Sequence, residues 1–334
     1  MSYSLNKELL TEILSIFSPS GNEGLIRHLI EEEIKDYVDE IHTDALGNLI
    51  ARKKGNGRKV MVAGHMDQIG MMITYIDDHG FLRFTNVGGL SPAVCYSQRV
   101  IFENGTIGVV GTEKLDSLKD LTLEKLFIDI GASTREEAEK LVSIGDTCVY
   151  YSEPLIDDKK VISPAMDDRI GCFIMIEAIK KINESPYDLY FVFTVQEEVG
   201  IRGAKTSAYA INPDYGIALD VTSTGDTPKA KTMAVKLGNG PAIKVRDNSL
   251  LCHPKIKNHM VKQAKAHNIP YQMEVLEFGG TDSGSIHLTR EGVPSGVLSI
   301  PTRYIHTDCE MCHITDIANS IELTAKILEA EIEA

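Results

Sequence analysis

The stretch DLYFVFTVQEEVG, residues 188–200, decides how the rest of the chain is read. Its first part is an almost unbroken run of β-forming apolar residues, the pattern of a strand buried on both faces. The run ends at Gln196 in two adjacent glutamates, Glu197 and Glu198. Carboxylates placed side by side next to an apolar strand repel each other unless a cation or a proton compensates.

Working outward, the same texture returns in RKVMVAGH (58–65), YGIALDV (215–221) and GVLSIP (296–301), with YQMEVLEF (271–278) as a further strand. Residues 40–54, EIHTDALGNLIARKK, read as a hairpin pair. Helical spacing of apolar residues marks 5–17, 23–37, 169–182, 253–268 and 316–332. Apolar strands alternating with helices predict an α/β protein with a mixed, largely parallel sheet covered by helices on both faces.

Between Gln68 and Ser163 the texture changes. Short alternating runs such as MMITYI, FLRFTNV, RVIFEN, TIGVVG and DTCVYY are separated by Asp-His-Gly and Glu-Asn-Gly turns, and STREEAEKLVS (133–143) is the one helical stretch. This reads as an inserted, mostly β domain at 68–163, dividing an α/β domain made of 1–67 and 164–334.

The chain has 334 residues, 34 Lys+Arg against 48 Asp+Glu, and a formal charge of -14. Such a surface repels phosphate backbones and anionic lipid, so neither nucleic acid nor membrane is expected as a partner. The most basic stretch, Arg52-Lys53-Lys54 with Arg58-Lys59, reads as a solvated hairpin turn. The N-terminal MSYSLNKELLTEIL lacks the basic and apolar regions of an export signal, no apolar run approaches the roughly 20 residues of a membrane span, and the six cysteines are scattered. A cytoplasmic protein with reduced thiols is expected. Cys309-Glu310-Met311-Cys312-His313 has the spacing of a c-type haem site, but that chemistry belongs with exported proteins.

In open α/β sheets ligands bind beyond the carboxyl ends of the strands. Five places there carry chemistry: His65-Met66-Asp67, Asp167-Asp168 at the head of the 169–182 helix, Glu197-Glu198, Asp220, and His306. Each alone has an ordinary structural explanation, as a helix start, a turn or a loop residue. Together they supply two imidazoles and several carboxylates without a thiolate, an N/O set that suits two divalent ions of the Zn, Co or Mn type. A pair of such ions can share a carboxylate and a water and hydrolyse an amide.

The motifs Gly64-His65-Met66-Asp67, Met166-Asp167-Asp168-Arg169, Gln196-Glu197-Glu198-Val199-Gly200, Leu219-Asp220-Val221-Thr222 and Arg303-Tyr304-Ile305-His306 resemble the cocatalytic metalloaminopeptidases of the tetrahedral, TET, type. Pro19-Ser20-Gly21-Asn22-Glu23, Asp44-Ala45-Leu46-Gly47-Asn48 and Gly279-Gly280-Thr281-Asp282 are similar too, so the likeness spans nearly the whole chain. The resemblance implies a zinc-exopeptidase-like catalytic domain, with the β insertion as a dimerisation domain. It implies two divalent ions per subunit, His65 and Asp220 holding one, Glu198 and His306 the other, and Asp167 bridging them. It also implies Glu197 as general base, Asp67 as the residue orienting His65, peptides as substrates, and a homo-oligomer built from dimers into a dodecamer. After His306 the chain reads Thr307-Asp308-Cys309, where the family usually has Ser-Pro and a small or apolar residue; Glu310 and Met311 are retained. An endoglucanase-like glycoside hydrolase using paired carboxylates is the alternative, but it leaves the histidines without work and has no Trp to stack sugars.

Overall fold

The computed structural model describes residues 5–333. Among them an 11-stranded sheet forms one body, and a closed six-stranded barrel forms the other. The centre of the sheet is four parallel strands in the order Asp188–Thr194, Lys59–His65, Tyr215–Thr222, Ser295–Arg303. Its flanks are antiparallel. The hairpin Glu40–Thr43 with Leu49–Lys53 lies on one side, and Glu310–His313, Lys160–Ser163 and Leu155–Ile156 lie on the other.

Burial on both faces explains the unbroken apolar texture. In the strand Lys59–His65, Val60 and Val62 face one hydrophobic cluster, while Met61 and Ala63 face another. In Asp188–Thr194, Leu189, Phe191 and Phe193 join the first and Val192 the second. The first face is covered by Lys7–Ser15, Gly24–Ile34, Met166–Lys181 and Ile314–Glu329; the second by Arg202–Ile211 and Ser283–Ile286. Met166–Lys181 is buried along almost its whole length, which is why its sequence shows no polar stripe.

The barrel strands run Gly70–Ile76, Leu82–Val87, Arg99–Phe102, Ile107–Thr112, Leu126–Asp129 and Thr147–Tyr150. In the first, Met71 and Ile73 point into the interior and Met72 outward, and a register shift between Ile73 and Tyr75 then turns Tyr75 out and Ile76 in. Both glycine turns form as expected, with Gly80 and Gly105 at φ of +85° and +84°.

Two local expectations are corrected. STREEAEKLVS contributes only the single turn Arg135–Ala138, because Ala138 and Val142 pack inward while Leu141 remains exposed, too few anchors to prolong a helix. The basic stretch is a solvated turn only in part: Lys54 and Arg58 are exposed around Gly55 and Gly57, but the two residues before them are engaged. Arg52 sits in a strand and bonds Asp188 through Nε at 2.8 Å and a second nitrogen at 2.9 Å, and Lys53 caps carbonyls at the end of Met166–Lys181.

Arg169 ties the N-terminal helix to the loop after His65. Its guanidinium, fully buried, donates to the carbonyls of Ile13 (2.7 Å), Ile16 (3.0 Å) and Met66 (2.9 Å) and to Gln68 Oε1 (2.6 Å). Removing it takes a charged donor from all four acceptors, of which the Met66 carbonyl keeps the Ser18 hydroxyl at 3.2 Å. Arg169→Leu is expected to lower unfolding stability by about 3–5 kcal/mol, measured by urea denaturation; a loss under about 1 kcal/mol would show that the clamp is dispensable.

Candidate metal centre

Strand register brings the chemistry to one edge. Thr194 pairs with His65, and Asp220 with Ser299, so the strands end level with one another. His65 closes one strand, Glu197 and Glu198 follow the next, Asp220 lies near the end of the third, and His306 follows the fourth. Asp167 comes up from below at the head of Met166–Lys181.

Asp167 stands between the two imidazoles. Its Oδ1 lies 3.0 Å from His65 Nε2 and its Oδ2 3.4 Å from His306 Nε2, while His306 Nε2 is 3.3 Å from Glu198 Oε2. Glu197 Oε2 is 3.9 Å from His65 Nε2. Ligand atoms of His65, Asp167 and Glu198 lie within 4.8 Å of one another, as do those of His65, Asp168 and Asp220. All seven sequence-designated residues therefore gather at one place, six of them lining a cavity of about 510 Å³ and Asp67 lying behind it.

Asp67 meets the His65 ring through its backbone more closely than through its side chain. His65 Nδ1 donates to the main-chain carbonyl of Asp67 at 2.9 Å, whereas the Asp67 carboxylate is 3.6 Å away. That carboxylate is engaged elsewhere: it accepts the amides of Glu197 (3.0 Å) and Glu198 (3.2 Å) and the hydroxyl of Ser20 (2.6 Å). The donation from Nδ1 still fixes the tautomer and leaves Nε2 facing Asp167.

Several supporting residues were not designated from sequence. Asp168, joined to Asp167 by a cis peptide, accepts the amides of His65 (3.3 Å) and Gly171 (3.1 Å). A Cβ on Gly171 would fall 2.3 Å from its carboxylate, so only glycine leaves room. Gln196 and His306 hold left-handed backbone, at φ of 56° and 63°, and each has its amide anchored by a buried carboxylate. Glu23 accepts from Gln196 at 3.1 Å, and Glu310 accepts from His306 at 2.6 Å and from Asp167 at 2.9 Å. Asn48 accepts the Val195 amide at 3.0 Å. Glu23 and Asn48 stand in stretches quoted for their likeness, Glu310 among retained residues and Asp168 in a quoted motif, so the signals were present but their targets, backbone amides, were not visible. A barrel loop also reaches the centre, since a Cβ on Gly89 would lie 2.8 Å from His306 Nδ1.

Burial, and then charge crowding, set the electrostatics. Glu197, Glu198, Asp168 and Asp220 are all pushed above the ordinary carboxylate range, first by burial and then by neighbouring carboxylates. Burial works against a charged His306, yet Asp167 and Glu198 hold it up to about 11. The centre draws positive charge, whether protons on the imidazoles or cations among the carboxylates. Glu198 Oε1 and Asp282 Oδ1 are buried without a hydrogen-bond partner among the described residues. An orphaned carboxylate oxygen beside two imidazoles fits a divalent cation, and the N/O donors suit zinc, cobalt or manganese. The neighbouring thiols are not in play: Cys309 is solvent-exposed, and Cys312 is buried against Thr302.

The chain matches the family described as M42 glutamyl aminopeptidase over residues 47–323. It is 37% identical to the lysyl aminopeptidase of Pyrococcus furiosus, over 96% of this chain and 96% of that protein. Among solved structures it resembles an aminopeptidase of the archaeon Desulfurococcus kamchatkensis, with a TM-score of 0.93 and 38% identity over 97% of this chain and 94% of the other. It also resembles the TET1 peptidase of Pyrococcus horikoshii, described as assembling into a tetrahedron or a large octahedral shell. There the TM-score is 0.88 and the identity 34%, over 97% and 99% of the two chains.

Asp67→Asn places an amide group against the Glu197 and Glu198 amides that the carboxylate now accepts. Metal affinity is expected to fall about 10–100-fold, read by metal analysis after dialysis against graded buffers; unchanged affinity would remove Asp67 from the support of the site.

Proposed function

The chain belongs to the M42 glutamyl aminopeptidase family and is a peptide hydrolase whose membership implies a divalent metal; on that premise we propose that it removes N-terminal residues from peptides at a two-ion centre. His65 and Asp220 would hold one ion and Glu198 and His306 the other, with the Asp167 carboxylate available to both pairs. Zinc or cobalt fits this donor set best, with manganese also accommodated. When bound, the ions supply Lewis acidity that makes the attacking water acidic and polarises the scissile carbonyl.

The remaining work belongs to side chains of this protein. Glu197 lines the cavity without being needed as a ligand, so it takes the proton from the attacking water and passes it to the leaving amine. Asp67 holds the Glu197 and Glu198 amides and, through its carbonyl, the His65 ring. Glu310 and Glu23 fix the two left-handed residues on which His306 and Glu197 depend. The observation that carries this reading is the division of one carboxylate, Asp167, between two imidazoles that come from opposite ends of the chain.

The glycoside hydrolase alternative uses none of this. Two carboxylates acting across a sugar need no imidazoles between them, and the chain has no Trp. We further propose that 68–163 is a dimerisation domain inserted into a catalytic domain of 1–67 and 164–334, and that dimers close into a dodecamer. The barrel body exposes apolar side chains suited to contact, with Leu118 at 76% and Ile144 at 66% exposure. A cytoplasmic location accords with the described residues, none of whose helices is long and apolar enough to cross a membrane.

Chelation should abolish release of p-nitroaniline from aminoacyl substrates, with recovery on adding zinc, cobalt or manganese; chelator-resistant cleavage of carboxymethyl-cellulose would favour the glycosidase instead. Glu197→Gln should retain its metal, by elemental analysis, yet lose about 10²–10⁴-fold in kcat, and near-normal turnover would strip Glu197 of the base role. In gel filtration with light scattering the protein should run as a twelve-chain particle, and a monomer at micromolar concentration would contradict the assembly.

A further inference from the structure

The cavity beside the metal centre is sorted by charge. Its ionisable lining residues are His65, Asp167, Glu197, Glu198, Asp220 and His306, all of them committed to the proposed ligand set and base. The remaining wall is uncharged: Ile201, Leu276, Phe278 and Ile305 supply its large apolar side chains, Val221, Thr222 and Ser223 continue it, with the Thr222 hydroxyl turned to Glu274, and Gly200, Gly279 and Gly280 complete it. Leu276 is almost fully buried and Phe278 partly exposed, so the wall runs from an enclosed floor to an open rim. A Cβ on Gly280 would come 3.1 Å from Ser249 Oγ, which keeps this stretch of wall close to the chain behind it.

We infer that the enzyme prefers peptides whose first residue is uncharged and apolar, of leucine or methionine size, held against Ile201, Leu276, Phe278 and Ile305. This inference rests on the aminopeptidase reading and deepens it. With the scissile bond held at Glu197 and the ions, the first side chain must occupy what is left of the cavity. That remainder offers an aliphatic and aromatic surface whose burial favours an apolar side chain. It offers no cation for a glutamyl side chain and no spare carboxylate for a lysyl one.

Of two lysines near this wall, Lys244 is committed to buried carboxylates and Lys231 is exposed outside the lining. Lys244 is fully buried and donates to Glu274 at 2.6 Å, with Asp247 at 3.5 Å. Lys231 packs its Nζ 4.6 Å from the centroid of the Phe278 ring and is not among the cavity's lining residues. A charged first residue would therefore enter an apolar pocket unpaired, and burying an unpaired charge is costly. The likeness to a lysyl aminopeptidase does not carry a basic preference here, because no carboxylate beyond the metal nest lines the wall.

The test is a release-rate profile of the full-length, metal-supplemented enzyme on leucyl, methionyl, alanyl, glutamyl and lysyl p-nitroanilides. Leucyl and methionyl kcat/KM are expected to exceed glutamyl and lysyl values by about 100-fold. Phe278→Ala should lower the leucyl-to-alanyl ratio about tenfold, a readout in which general damage cancels. As a binding measurement apart from turnover, free L-leucine should raise the melting temperature, and L-glutamate or L-lysine at equal concentration should not. A glutamyl preference that Lys231→Ala abolishes would assign the cavity to acidic residues and overturn the inference, as would a lysyl preference or an unchanged ratio in Phe278→Ala. Failure to turn over all five substrates would overturn the aminopeptidase reading itself, which separates the two failures.

Discussion

Mutual repulsion among buried carboxylates is the constraint around which this molecule is arranged. Asp167, Asp168, Glu198 and Asp220 crowd one edge of the sheet, with Glu197 beside them, and none is more than partly open to solvent. In water such a cluster would disperse or take up protons. Here it is held by a sheet whose parallel strands end level with one another, so that the charged residues are committed to their places by the hydrophobic register beneath them. The interaction that makes the crowding tolerable is the facing of carboxylates by imidazoles, with Asp167 shared between His65 and His306.

Around that nest, a ring of buried side chains binds backbone instead of ligand. Asp67 takes the amides of both glutamates, Asp168 that of His65, Glu310 those of Asp167 and His306, Glu23 that of Gln196, and Asn48 that of Val195. Peptide N–H groups favour the charged form of a carboxylate and offset part of the cost of burying it; at Asp67, where His65 adds to them, the carboxyl is held below the usual range. Such a bond also fixes the position of the next charged side chain along the chain. The left-handed backbone at Gln196 and His306 is sustained in this way, at a cost that an unsupported loop would relieve by relaxing.

Much of this was legible in the sequence, and the limits are physical. The apolar strands, the helices and the change of texture near Gln68 follow from periodicity alone, because burial on one or two faces writes itself into alternation. The candidate ligands could be collected because polar residues directly after apolar strands have few reasons to be there. What periodicity does not encode is which atom a buried polar group meets. Thus Asp67 was read as a partner of the His65 ring, while its carboxylate serves two amides. Glu23 and Asn48 stood in recognisable stretches without a visible task. Arg52 and Lys53 looked like a solvated turn because a run of like charges in sequence says nothing of Asp188 or of the helix end waiting in space. The stretch at 133–143 had helical spacing but lacked enough inward anchors to extend past one turn.

The centre draws on strands far apart in the polypeptide, from Lys59–His65 to Ser295–Arg303 with its trailing His306. A chain still on the ribosome, or one cut anywhere between the two imidazoles and then separated, holds only part of the constellation. The constellation is therefore complete only when both imidazoles and the strands between them belong to one folded body.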